Sequence, residues 1–350
     1  MPYSFAIKAL PTDLDMSIQQ RLDNLTKPPG SLGQLETLAA QIARIQHTLH
    51  PRLSTLQHWV FAADHGVCAQ GVSPYPRSVT RQMVQNFLAG GAAINQFCNQ
   101  HQVPLKIVDA GLAGEPLADH PNLVQARVAN GSADFTTQPA MTPTQFEQAI
   151  TTGADCARQS LASGADVLSF GEMGIGNTTA AAALMAASLH RHPADCVGAG
   201  TGASTQMQHH KIQVITSALA KHPSQLTDGA AIMQHLGGLE LAMMASAMAA
   251  TAEAGHAFIV DGFLATASLA TLWKDQPAIL DYALFSHCSD ESGHRALLDA
   301  LNAKPLLQLD LRLGEGTGAV LAWPLIQSAL AMLNNMASFD SAGVSRSDAQ

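Results

Sequence analysis

One carboxylate is set among glycines in Leu313-Gly314-Glu315-Gly316-Thr317-Gly318-Ala319, just after an apolar run and before an apolar helix. Glycines let backbone come close to a ligand, and an acid held there with little water has its pKa raised toward that of a working base. Glu315 is the candidate catalytic residue, although a glycine-rich turn whose acid caps the next helix would read the same way. A second segment, Gly171-Glu172-Met173-Gly174-Ile175-Gly176-Asn177-Thr178-Thr179, leads into an alanine-rich helix. Free N–H groups at such a helix start, with the dipole behind them, form an anion site. A further loop, Gly198-Ala199-Gly200-Thr201-Gly202, precedes Lys211, whose ammonium could serve the same phosphate. Neither loop ends in the Gly-Lys-Ser/Thr of a Walker motif, and Gly174-Ile175-Gly176 lacks the third glycine of a dinucleotide fingerprint. Close helix packing would use the same glycines. Glu172, at a strand tip, could bond a ribose hydroxyl, stabilise positive charge or form a structural ion pair.

Asp64-His65-Gly66 and Ser286-His287-Cys288-Ser289-Asp290-Glu291 match no zinc, EF-hand or hydrolase spacing, and no Gly-x-Ser-x-Gly elbow is present. No metal is expected. Most of the fifteen histidines, such as His209, His210 and His222, read as solvated surface. Met243, Met244 and Met248 read as core filler in a helix.

These residues need a scaffold, and the apolar runs supply one. Trp59–Asp64, Leu105–Gly111, Asp166–Gly171, Ala257–Gly262, Ala283–His287 and Leu306–Leu311 each end in a polar or glycine tip. Continuous hydrophobicity marks strands buried on both faces, and the stretches between are long enough for crossover helices, which gives an α/β fold with a parallel, Rossmann-like sheet flanked by helices. Ligands bind such sheets beyond the carboxyl ends of the strands, where the polar tips lie. Thr142-Pro143-Thr144-Gln145 reads as an N-cap, a first-turn proline and a capping-box glutamine, opening a helix toward Leu161 that stops near Gly164. Ser78–Cys98 and Gly237–Ala254 read as helices, the second closed by Gly255. Helical stretches around Leu35–Leu49 and after Gly318 lie outside the strand series. We expect residues 1–50 and 319–350 to form a small helical domain beside an α/β catalytic domain of residues 51–318.

Composition removes several function classes. With 350 residues, 13% charged, 5% aromatic and a net charge of −9, the chain is neither disordered nor suited to a nucleic-acid backbone or to base stacking. An anionic ligand must be captured locally. Five cysteines without CxxC spacing suggest neither disulfides nor structural zinc and fit a reducing cytoplasm. Met1–Leu10 lacks the pattern of a signal peptide, and Leu239–Ala254 is too short and too interrupted to span a bilayer.

Taken together, the motifs resemble a known family. The run Arg21-Leu22-Asp23-Asn24-Leu25-Thr26-Lys27-Pro28-Pro29-Gly30-Ser31-Leu32-Gly33-Gln34-Leu35-Glu36 is similar to the N-terminal signature of the nicotinate-nucleotide–dimethylbenzimidazole phosphoribosyltransferases of cobalamin lower-ligand assembly. The resemblance continues through Ala63–Val67, Gly71–Pro76, Val79-Thr80, Asn86–Asn95, Gly171–Thr179, Gly200–Gly202, Val260–Gly262 and Gly314–Gly318, covering nearly the whole chain in order. Ala199 stands where the family commonly has Arg in its second loop, which shifts weight onto Lys211.

The resemblance implies transfer of phosphoribose from nicotinate mononucleotide to 5,6-dimethylbenzimidazole, releasing nicotinate and giving α-ribazole 5'-phosphate, with no cofactor. It implies Glu315 as the base and Glu172 as the carboxylate near the sugar. Gly174, Gly176, Asn177, Thr178, Gly200, Gly202, Lys211, Gly262 and Ser289 would hold the nucleotide. Ser78, Met83, Phe87, Met173 and Leu313 would hold the base. It also implies a six-stranded sheet and a homodimer, with no nucleic-acid or membrane partner. An NAD-dependent oxidoreductase would need the full glycine fingerprint with an acid about twenty residues on. A non-catalytic nucleotide sensor would keep the phosphate loops without needing Glu315. The Met and Phe side chains of the implied base pocket lead us to expect that other benzimidazoles or purines are also accepted. A competition assay in which only dimethylbenzimidazole reacts would refute that.

Overall fold

Apolar runs this continuous need cover on both faces, and the architecture supplies it. In the computed structural model, which describes residues 3–198, 202, 204–221 and 224–345, six parallel strands form one sheet. They are β1 (Leu56–Ala63), β2 (Leu105–Gly111), β3 (Leu123–Gln125), β4 (Val167–Met173), β5 (Phe258–Val260) and β6 (Ala283–Phe285). Their order is β3-β2-β1-β4-β5-β6. β1 pairs with β2 on one side and β4 on the other, so the order reverses there and opens a crevice beyond the two strand ends.

The helices are α1 (Asp15–Asp23), α2 (Gln34–Ile45), α3 (Ser78–Leu88), α4 (Ala93–His101), α5 (Pro143–Ala162), α6 (Asn177–Leu189), α7 (Thr205–Lys221), α8 (Gly229–Leu236), α9 (Leu239–Glu253), α10 (Phe263–Asp275), α11 (Ser292–Ala300), α12 (Thr317–Asn335) and the single turn α13 (Phe339–Ala342). Alternation along β1 divides the core. Trp59, Phe61 and Ala63 join the cluster formed with α5, α6, α9 and α10. Leu56, Val60 and Ala62 join the opposite cluster with α2, α4 and α12.

The helices from the two chain ends pack together. Arg21 donates from Nε to the Leu333 carbonyl at 3.2 Å, the Thr26 N–H donates to Ala337 O at 3.0 Å, and Lys27 pairs with Glu36 at 2.8 Å, both buried. The N-terminal signature therefore joins the two ends of the chain. Ile18, Leu22 and Ile42 meet Val320, Trp323 and Ile326 in a cluster continuous with Val60 and Ile259 of the sheet. The preceding segment crosses to the other core, where the Tyr3 hydroxyl meets Thr271 Oγ1 at 3.1 Å and the Ala6 N–H donates to Glu253 at 2.8 Å. α12 is long and apolar enough to cross a membrane by length and composition, but Val320, Trp323, Ile326, Leu330 and Leu333 on one face of it are buried in this core.

Three local expectations need correction. Leu306–Leu311 is not a strand: Asp310 takes a left-handed φ of 53° and Leu309 is 50% exposed, so the segment only lies alongside His287 through a bridge at Leu307. The remaining strand is the three-residue β3 at the opposite edge, too short and too polar at its flanks to stand out. Ser78–Cys98 is two helices, broken where Gly90 turns left-handed at φ 80°. Asn95 clips the break, donating to Phe87 O at 2.9 Å and accepting from the Ala92 N–H at 3.1 Å. The break points the N-terminus of α4 at Glu315.

α5 follows its sequence signals. Thr142 Oγ1 accepts from the Gln145 N–H at 3.2 Å, and Gln145 Oε1 accepts from the Thr142 N–H at 2.9 Å. Thr142→Ala removes the side-chain half of this box, and urea denaturation is expected to show about 1 kcal/mol lower stability. An unchanged midpoint would contradict the capping role.

Candidate active site

A cleft opens beyond the carboxyl ends of β4, β5 and β6, and most of the chemistry-bearing residues line it. Glu172, Met173, Gly174, Gly176, Asn177 and Thr178 come from the end of β4 and the start of α6. Lys211 projects from α7; Asp261 and Gly262 cap β5, His287 and Ser289 follow β6, and Leu313 and Gly314 close the far wall.

The α6 end brings a helix N-terminus and a buried cation together. The Asn177 N–H donates to Gly174 O at 3.0 Å and the Thr179 N–H to Gly176 O at 3.1 Å, tight turns that Gly176 permits with φ 96°. A Cβ on Gly174 would stand 2.6 Å from Ala63 O at the tip of β1, so the loop lies against that strand because it has no side chain there. Lys211, 5% exposed, donates from Nζ to Thr178 Oγ1 at 3.0 Å. Burial lowers its pKa, and Glu291 on the cleft wall opposes that shift. Behind the loop lies a fully buried pair, His65 Nε2 and Glu240 Oε1 at 2.5 Å.

Carboxylates gather at the other end. Asp261 Oδ1 accepts from the Ala319 N–H in the first turn of α12 at 2.9 Å and lies 3.6 Å from His287 Nε2. Glu172, buried beside it, accepts a hydrogen bond from the Asn177 side-chain amide. Burial, with repulsion from Glu240 and Asp261, pushes the Glu172 carboxyl up to about 8 against the pull of Asn177. Glu315 is 4% exposed, next to the cleft-lining Gly314. Its Oε2 accepts from the Ile94 N–H in the first turn of α4 at 3.3 Å. Burial raises its pKa, the Ile94 N–H lowers it, and Asp261 raises it further. The cleft thus pairs a cationic, N–H-rich end with a carboxylate end, the charge pattern suited to a molecule with a phosphate at one end and developing positive charge at the other.

The sequence matches a phosphoribosyltransferase family over residues 7–344. This chain belongs to that family. The phosphoribosyltransferase is 50% identical over 342 residues, 97% of both chains, to a Cupriavidus necator protein named nicotinate-nucleotide–dimethylbenzimidazole phosphoribosyltransferase. A Dechloromonas aromatica protein of the same name is 47% identical over 345 residues, covering 98% of this chain and 99% of its own. Among solved structures it is similar to CobT from Thermus thermophilus, with 46% identity and a TM-score of 0.92, covering 96% of this chain and 100% of that one.

In this phosphoribosyltransferase, ten of the residues singled out in the sequence share the cleft: Glu172, Met173, Gly174, Gly176, Asn177, Thr178, Lys211, Gly262, Ser289 and Leu313. Others lie apart. Ser78 is exposed at the start of α3, while Met83 and Phe87 belong to the apolar cluster that contains Ile94, the residue whose amide holds Glu315. Phe87, 2% exposed, offers no free face to a base, because it lies with Thr80 and Val84 on the buried face of α3. Gly202 is exposed with φ 124° and lines no part of the cleft, and Gly200 and His222 fall outside the described residues. Ser289 does not point freely: its hydroxyl lies 2.8 Å from Nδ1 of the buried His294, and its N–H donates to the same nitrogen. His210 is half-buried, bonded to Gln70 O, where solvated surface was expected. Asp261 and His287 were not assigned to the site from the sequence. Asp261 was legible as the polar tip of β5, the counterpart of Glu172 on β4.

The raised Glu172 carboxyl has a signed consequence for stability. Its folded pKa of about 8 exceeds the ordinary 4.5, so the folded state binds the proton more tightly and loses stability as pH rises between those values. Glu172→Gln stays neutral, so its stability advantage over the native chain is expected to widen across that window. Thermal unfolding that shows the same difference at both ends of the window would rule out the shift.

Proposed function

We propose that this phosphoribosyltransferase transfers phosphoribose from nicotinate mononucleotide to 5,6-dimethylbenzimidazole, releasing nicotinate and forming α-ribazole 5'-phosphate for the nucleotide loop of cobalamin. The observation that carries the reading is nearly full-length likeness, at about half identity, to proteins named for that reaction. The cleft's division into an anion-binding end and a carboxylate end suits the donor.

The 5'-phosphate belongs at the start of α6, beside the Gly174–Thr178 turn and within reach of the Lys211 ammonium. Gly262, at the start of α10, and Ser289 close that end. The ribose then extends toward Glu172 and Asp261, and C1′ faces Glu315 with the incoming base beside Leu313 and Met173. One nitrogen of dimethylbenzimidazole attacks C1′ as the C1′–N bond breaks, its electron pair passing to the pyridine ring of nicotinate. The leaving pyridinium gives up its positive charge, so no acid is needed to assist it. Glu315 takes the proton from the second imidazole nitrogen, and attack opposite the leaving group inverts the β-linkage to α. Glu315 suits this role because burial raises its carboxyl toward the range of a working base.

Glu172 responds to the substrate. In the empty cleft burial favours its protonated form near neutral pH, whereas a pyridinium placed beside it favours the anion. The ionised group then stabilises oxocarbenium character at C1′. We also propose a cytoplasmic homodimer. Five free thiols accord with a reducing compartment, and the dimer rests on the family resemblance.

Glu315→Gln is expected to lower kcat by about 10²–10⁴-fold with nucleotide binding retained. Chromatography of released nicotinate and NMR of the product anomer read both the reaction and its stereochemistry. Native protein that binds the nucleotide without releasing nicotinate would sink the transferase reading in favour of a sensor. Full activity in the variant would remove Glu315 from the mechanism.

A further inference from the structure

His58 is an anomaly of its strand. It lies on the face of β1 that otherwise presents Leu56, Val60 and Ala62 to the α12 side of the core, and it is fully buried. Burial lowers its pKa to about 4, so the ring is neutral and carries a single N–H. Nε2 lies 3.0 Å from the main-chain oxygen of Glu315 and Nδ1 lies 2.7 Å from Ser169 Oγ. A carbonyl only accepts, so the proton must be on Nε2, and Nδ1 accepts from the Ser169 hydroxyl. Ser169 is the register partner of His58 on β4. The two central strands thus fix both the tautomer and the plane of the ring.

The carbonyl that receives this bond belongs to an unfavourable stretch of backbone. Gly314, Glu315 and Gly316 have φ values of 86°, 64° and 78°, three left-handed residues in a row. For the central residue, which has a side chain, that conformation is sterically unfavourable. Two close approaches shape its bed: a Cβ on Gly171 would overlap the Glu315 carbonyl, and a Cβ on Gly316 would overlap the His58 ring. Glu315 is gripped at two points, its main chain by His58 and its carboxylate by the Ile94 N–H.

We infer that His58 is a positioning residue for Glu315: its Nε2–H, bonded to the Glu315 carbonyl, holds the left-handed turn that aims the carboxylate. This rests on the reading of Glu315 as the base. An apolar side chain at position 58 would fill the core but leave that carbonyl buried without its donor, and the turn would relax toward ordinary backbone angles. A displacement of about 1 Å at a reacting group is enough to lose on the order of 10²-fold in rate.

The test is a double-mutant cycle on the full-length protein, with kcat and the KM for nicotinate mononucleotide as readouts. His58→Leu is expected to lower kcat by about 10–100-fold and to leave that KM within about twofold, since the phosphate end is untouched. His58→Gln can donate from its amide to the same carbonyl and should recover most of the loss. In the Glu315→Gln background, His58→Leu should cause no further loss of the residual rate, because there is no base left to aim. Should His58→Leu not fold, Ser169→Ala, which frees the ring, takes its place, with a smaller loss confined to the Glu315 background. The inference is overturned if His58→Leu keeps native kcat, if it lowers kcat by the same factor in both backgrounds, or if it acts mainly on KM. Native kcat in Glu315→Gln itself would instead overturn the base reading, and with it the inference.

Discussion

The site depends on two stretches of main chain lying on each other. Gly171, near the carboxyl end of β4, has no side chain, and the Glu315–Gly316 backbone occupies the space where one would be. Through this contact the turn before α12 reaches the centre of the sheet, and the last long helix begins beside the crevice. A larger residue on β4 would push the turn away, breaking the bonds that Glu315 makes to His58 and Ile94. The glycine is fixed by the loop above it, since the hydrogen bonding of β4 would admit other residues.

The second organising constraint is charge. The protein is strongly anionic and yet is shaped to receive an anion, so attraction has to be local. One buried ammonium and the N-terminus of α6 provide it at one end of the cleft, while Glu172 and Asp261 line the other, with Glu315 buried behind Gly314. With so little water these carboxylates cannot all ionise cheaply: burial is the first cause of the raised values at Glu172 and Glu315, and repulsion from Asp261 adds to both. A substrate that brings both a dianion and a cation resolves both imbalances together.

Much of this was legible in the sequence, for identifiable reasons. Runs such as Trp59–Asp64 and Asp166–Gly171 are apolar on both faces because both faces are covered, and their polar tips mark the crevice. The Thr142–Gln145 box fixed the start of α5 because its signals are local. What escaped depended on contacts remote in the chain. Leu306–Leu311 reads as a strand until Asp310 turns left-handed, and Phe87 reads as a pocket residue until α3 packs its Thr80, Val84 and Phe87 face into the core. His58 looks like any histidine in a list of fifteen; its meaning comes from Ser169 and Glu315, 111 and 257 residues away.

The joining of the chain ends bears on the order in which the protein is made. Arg21 and Thr26 find their acceptors at Leu333 and Ala337, so α1 and α2, made well before α12, wait for it before their apolar faces can be covered. Loop closure over such a span delays the contacts that reward it. The turn at α6 forms from neighbouring residues, whereas Glu315 reaches the sheet only with the segment that leads into α12. In the proposed reading, the group that would act as base is therefore brought in by a segment made well after the turn that would hold the phosphate.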